Sequence, residues 1–170
     1  LSQPVELIRV QRKGNAAFKV AVAEMQGWRT SHEDAHAMGC SQDGRSGQFW
    51  ILDGHGGDGA ANIGAVALPR EFDPRISSGV LPTDEVIRAG FEVVDKELLD
   101  RDVSSGSTVI GALAVRKDDG SYSVQVCNCG DSRGLVVRGP EEGSLDSVMV
   151  ESVDHKPDHP DERARIEAAG

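Results

Sequence analysis

The sequence predicts a domain of the α+β class, with short strands joined by tight turns and a few separate helices. Three observations carry this expectation. Apolar runs of strand length recur at residues 17–25, 48–52 and 108–115, and the first two stop at Gln26-Gly27 and Asp53-Gly54. Residues 108–115 and 122–129 are separated by little more than the Asp118-Asp119-Gly120 turn, a spacing that favours antiparallel hairpins over crossover helices. Helical spacing of apolar residues falls outside those hairpins.

Taken in order, Phe18, Val20, Val22 and Ala23 predict a short, mostly buried strand, and residues 35–40 a second one. Residues 48–52 (QFWIL) read as a buried strand that delivers a polar loop at Asp53. Residues 57–68 favour a small-residue helix able to pack closely, with Pro69 expected to stop it. Thr83 is placed to cap a helix over residues 84–99, with Asp84 and Glu85 complementing the dipole in its first turn. Ile87, Phe91, Val94 and Leu98 give that helix one face to lay on a sheet. Strands over 108–115, 122–129 and 135–137, an exposed loop over 138–147 and a short charged helix over 160–169 complete the expected elements. Ser107-Thr108 is expected to finish a sheet turn.

Composition narrows the possible functions. The 170 residues carry 28 Asp plus Glu against 18 Lys plus Arg, a net charge of -10, which disfavours nucleic acid and anionic membranes as partners. A chain of this length buries roughly 68–70% of its unfolded surface, enough for a core without disulfides. Aromatic content is only 4%, so the core must lean on aliphatic side chains, and 20 glycines point to turns or close backbone approach. Cys40, Cys127 and Cys129 make neither an even framework nor a C-x-x-C pair, which fits buried thiols in a reducing compartment, cytoplasmic or nuclear. Residues 1–12 lack the layout of a signal peptide, no apolar run has membrane-spanning length, and the missing initiator Met suggests a start inside a longer protein.

Polar residues crowd into 26–36, 53–58, 128–133 and 154–159. In Asp53-Gly54-His55-Gly56-Gly57 a carboxylate and an accessible Gly54 carbonyl end an apolar strand, supplying the hard oxygen donors that Mg2+ or Mn2+ prefers. The alternative is a plain Gly-rich turn with a surface Asp. Neither nucleotide-binding glycine pattern is present. His32-Glu33-Asp34-Ala35-His36 formally matches the zinc-protease pattern H-E-x-x-H, which works only on a helix, where the two histidines sit about 6 Å apart. No helical stripe surrounds it, and in an extended strand the separation would be roughly 13 Å.

Taken together, MQGWR (25–29), EDAH (33–36), DGHGG (53–57), SGST (105–108), NCGDSR (128–133) and DHKP (154–157), with Glu162, Arg165, Ile166, Ala169 and Gly170, resemble in order the motifs of the metal-dependent type-2C protein serine/threonine phosphatases. The resemblance runs from Val20 onward. It implies a four-layer α-β-β-α sandwich of two antiparallel sheets flanked by helices, with residues 1–170 forming the amino-terminal part of one catalytic domain. It implies a centre of two Mn2+ or Mg2+ ions with a weaker third, and phosphoprotein substrates.

Carried over by position, Asp53 resembles the carboxylate that bridges both metals, Gly54 lends its carbonyl, and Glu33 is a second carboxylate ligand. Asp34 resembles an acceptor that orients metal-bound water, Arg29 the phosphate clamp, His55 the general acid for the leaving oxygen, and Asp131 a ligand of the weaker third metal. The implied reaction is direct attack of a metal-bridging water, with no phospho-enzyme. His32 departs from the family, which has Met there. Two further Asp ligands are expected beyond Gly170, so the isolated chain is expected to bind metal weakly and turn over poorly, as a monomer or associated with that following segment. The rival to an enzyme is a phosphatase-like binding or regulatory domain without turnover. Cys127 and Cys129 are expected as packed core or near-site thiols and not as ligands, Trp28 in the core, and residues 154–157 as a brace that supplies no ligand.

Overall fold

Alternating and apolar segments build ten strands and three helices among the described residues, which are 1–76, 79–139 and 148–170 in this computed structural model. Their order is β1 (Val5–Gly14), β2 (Lys19–Gly27), β3 (Ala35–Cys40), β4 (Ser46–Leu52), β5 (Gly54–His55), α1 (Gly59–Ile76), α2 (Asp84–Asp100), β6 (Gly106–Ser107), β7 (Val109–Arg116), β8 (Tyr122–Cys129), β9 (Leu135–Val137), β10 (Val148–Glu151) and α3 (Pro160–Ala169). Residues 140–147 of the expected loop lie outside the described residues.

The central sheet has the order β3-β4-β7-β8, antiparallel throughout. Gln48, Trp50 and Leu52 project from one face of β4, and all three are buried. Helices α1 and α2 cover that face: the Trp50 ring lies tilted 5.3 Å from that of Phe72 and edge-on 6.0 Å from that of Phe91. On the opposite face Phe49 lies 6.0 Å from Phe18, and the Tyr122 hydroxyl donates to the Ala17 carbonyl at 2.8 Å. The antiparallel β1–β2 hairpin occupies this second side, tied to β3 where Lys13 Nζ donates to the Met38 carbonyl at 3.1 Å. The class is therefore α+β, with helices, a four-stranded sheet and a two-stranded sheet in sequence. Among the described residues no helix packs outside the hairpin as a fourth layer, and none is long and apolar enough to cross a membrane.

Several expectations change. The strand over 17–25 is β2 (Lys19–Gly27), and its residues are half-buried or exposed because it pairs only with β1. Helix α1 does not stop at Pro69 but runs to Ile76 through Pro69 and Pro74. An internal proline costs about 3 kcal/mol in a lost hydrogen bond and a clash. Burial of Leu68, Phe72 and Ile76, roughly 1.5–3 kcal/mol each, offsets it. Thr83 makes no side-chain cap bond to α2. That helix packs chiefly on α1 and reaches the sheet through Phe91. Trp28, expected in the core, is 66% exposed. All three cysteines are free; Cys127 is buried, which pushes its thiol up to about 12, whereas Cys40 is half-buried and Cys129 is exposed.

Candidate functional site

The apolar strand β4 ends at Leu52, and the next residue, Asp53, leaves the sheet edge into the short β5–β6 pair. Thr108 fixes that exit from both sides: its amide donates to the Asp53 carbonyl at 2.9 Å, and its Oγ1 accepts from the Asp53 amide at 3.4 Å. Gly54 must be glycine here, because a Cβ would come 2.3 Å from the Glu33 carbonyl oxygen. That close approach lays the Glu33–Asp34 segment against the Asp53 loop.

Glu33 is held by two donors. Ser31 Oγ donates to Oε1 at 2.6 Å and the Gly57 amide to Oε2 at 3.0 Å. The Ser31 bond and then the Gly57 bond hold its carboxyl below the usual range, so it is an oxygen donor throughout the physiological range. Asp34 shifts the other way, first through burial and then through the neighbouring Asp53 carboxylate. The nearby Asp53 carboxylate thus disfavours the charged form of Asp34. A cavity of about 370 Å³ collects Arg29, Glu33, Asp34, Asp53, Gly54 and His55 along one wall or another.

The donors are all hard oxygens, so their chemistry fits Mg2+ or Mn2+ rather than zinc. Among the described residues no three His, Cys, Asp or Glu side chains are gathered closely enough to hold an ion. Asp131 does not line the cavity. Its turn is joined to the Asp53 loop through the 2.6 Å bond between Thr108 Oγ1 and Ser132 Oγ.

The zinc-protease pattern is not on a helix: β3 begins at Ala35, and His32 to Asp34 lie in the loop before it. The two histidines are nevertheless closer than an extended strand would place them. His32 Nε2 and His36 Nδ1 stand 3.7 and 3.3 Å from the same Glu24 oxygen. Ser31, Gly57, Thr108 and Ser132 support the site without having been assigned to it from sequence. The SGST stretch (105–108) is the signal in the sequence that points to Thr108.

The protein phosphatase 2C profile matches residues 18–170. Protein phosphatase 2C homolog 2 of Schizosaccharomyces pombe is 36% identical over 100% of this chain and 46% of its own length. Protein phosphatase 1A of Homo sapiens is 32% identical over 98% of this chain and 44% of its own length. The chain thus spans about half the length of the curated relatives it matches. Among solved structures, a serine-threonine phosphatase 2C from Toxoplasma gondii superposes with a TM-score of 0.57 at 18% identity, covering 99% of this chain and 57% of that one. A sex determining protein of C. elegans gives 0.63 at 17% identity, covering 96% and 38%. Those two likenesses speak for the fold alone, while the profile match over most of the chain and the sequence relatives assign it: the chain belongs to the protein phosphatase 2C family.

Proposed function

We propose that residues 1–170 are the amino-terminal part of a catalytic domain that hydrolyses phosphoserine and phosphothreonine in proteins with the help of Mn2+ or Mg2+. The observation that carries this reading is the convergence of Arg29, Glu33, Asp34, Asp53, Gly54 and His55 on one cavity. Glu33, Asp53 and the Gly54 carbonyl would hold the metal pair, and Asp131 a weaker third ion. Bound there, such ions supply Lewis acidity at the phosphoryl group and a nucleophile at neutral pH.

The chain's own groups do the rest. The Arg29 guanidinium presents two parallel donors to two phosphoryl oxygens and sets the orientation of the phosphate. Asp34 accepts a hydrogen bond from the attacking water and aims it at phosphorus. As the new phosphorus–oxygen bond forms, the bond to the Ser or Thr oxygen breaks, and His55 gives that oxygen a proton, releasing inorganic phosphate and a free hydroxyl. Proton donation of this kind contributes about 10²–10⁴-fold.

A second reading, a phosphatase-like binding domain without turnover, is favoured by the incomplete gathering of donors among the described residues. Hydrolysis of p-nitrophenyl phosphate by the whole protein separates the two. Activity is expected with Mn2+, absent after chelation, and lost in Asp53→Asn. No turnover by the unaltered protein leaves the binding domain; turnover that survives Asp53→Asn overturns the metal assignment.

A further inference from the structure

The Asp131 turn is unusual in how completely its surroundings are tied down. On one side, Gly130 (φ 111) packs so closely on Thr108 that a Cβ would come 2.7 Å from the Thr108 Cβ. Ser132 bonds Thr108 on the same side. On the other side lies the segment that follows β10. Arg133 makes a two-pronged pair with Asp154, Nε to Oδ1 at 3.1 Å and Nη2 to Oδ2 at 3.0 Å. The His155 amide donates to the Gly130 carbonyl at 2.9 Å, and the Gly130 amide donates to His155 Nδ1 at 3.3 Å. Gly134 and Ser152 exchange two bonds of 2.9 and 3.0 Å, and Asn128 Nδ2 donates to the Val153 carbonyl at 2.8 Å. Gly130, Ser132, Arg133 and Gly134 are each engaged, whereas the Asp131 carboxylate between them accepts no hydrogen bond and makes no ion pair among the described residues.

A turn held from both sides around one free carboxylate is a device for presenting that carboxylate. We propose that Asp154 is a positioning residue for Asp131: by gripping Arg133 while His155 clasps Gly130, it fixes the turn so that Asp131 can receive a divalent cation. The arrangement rests on the metal-dependent reading above. A planar guanidinium held at both prongs resists rotation in a way that a single contact does not, so the orientation of the turn depends on the fork and not on charge alone. Partners that orient a ligand without touching the ion typically affect metal affinity by about 10–100-fold.

The test uses the whole protein, with Mn2+ binding followed by titration calorimetry and by the electron paramagnetic resonance signal of free Mn2+. Asp154→Asn is expected to weaken the weakest Mn2+ site about 10-fold while the tighter sites keep their affinity. Asp131→Asn should weaken the same site, and the double variant should be no worse than Asp131→Asn alone, because both changes act through one carboxylate. Arg133→Lys, which keeps the charge but loses the fork, should reproduce the Asp154→Asn isotherm and stands in for it if that variant does not fold. Additive losses in the double variant, or a lowered melting temperature with an unchanged isotherm, show a merely structural brace and overturn the proposal. If Mn2+ binds and Asp53→Asn abolishes turnover while the Asp154→Asn isotherm is unaltered, the positioning role fails and the phosphatase reading stands. If the unaltered protein binds no Mn2+, both fall.

Discussion

His55 stands against the main chain of Gly106, where a Cβ would come 2.4 Å from Nε2. The imidazole therefore owes its place to the absence of a side chain on the neighbouring strand, in the pairing of His55 with Gly106 across β5 and β6. A residue that donates a proton to an alkoxide matters most when the leaving group is poor. His55→Ala should cut turnover of a phosphoserine peptide by about 10²-fold or more, while p-nitrophenyl phosphate, which leaves as a weakly basic phenolate, loses far less. Gly106→Ala should copy that pattern by pushing the ring aside, with the melting temperature little changed. Steady-state kinetics on the two substrates checks both, and equal losses on each would remove His55 from the proton-donor role. Asp53 and Gly54 are legible as candidates because they end an apolar strand beside glycines, whereas Arg29, Glu33, Asp34, His55 and Asp131 are candidates through the resemblance of ordered motifs. Their supports are not legible: Thr108 meets Asp53 from a distance of 55 positions, and no local pattern announces such a bond.

Elements were legible where their signals are local. The bounds of β3, β8, β9 and α3 match the expected segments, because alternation, turn residues and an initial proline mark them within a few positions. Strand β1 escaped notice because charged residues interrupt its apolar ones, leaving it exposed along its whole length, and its partner strand is the reason it forms. Helix α1 outlasts its prolines for a tertiary reason. Gln48, fully buried on β4, donates through Nε2 to the Pro69 carbonyl at 3.2 Å and to Asp73, while its Oε1 accepts from Trp50 Nε1 at 2.7 Å. That one amide ties the central strand to the part of the helix that proline weakens. Gln48→Leu keeps the bulk but leaves the indole N–H and the Asp73 carboxylate without this partner, so it should lower stability by about 1–3 kcal/mol. Urea unfolding should show a lower midpoint at an unchanged slope. A midpoint equal to that of the unaltered protein would mean that the Gln48 bonds do not contribute to holding α1.

At the scale of the molecule, the two sides of the central sheet are unequal. One is sealed by α1 and α2 around Trp50, Phe72 and Leu113, all buried. Among the described residues the other carries only the β1–β2 hairpin, whose register sets Ile8 opposite Met25 and Val10 opposite Ala23 on its outer surface. Ile8, Val10 and Met25 are 59%, 55% and 52% exposed. Apolar residues scattered singly on a surface are ordinary, but neighbours on one strand pair form a patch, and patches drive association. The net charge of -10 opposes it, though weakly here, because Arg9, Arg12, Lys13 and Lys19 all belong to this hairpin. The 170-residue chain should therefore associate with rising concentration and enhance the fluorescence of an apolar dye, and more so at high salt, where charge repulsion is screened. Val10→Lys places a charge in the middle of the patch on a strand that is exposed throughout. It should shift sedimentation toward the monomer and reduce dye binding without lowering the melting temperature. A chain that stays monomeric at all concentrations and salts, with no dye enhancement, would show that the outer surface of the hairpin is too small or too well solvated to act as a patch.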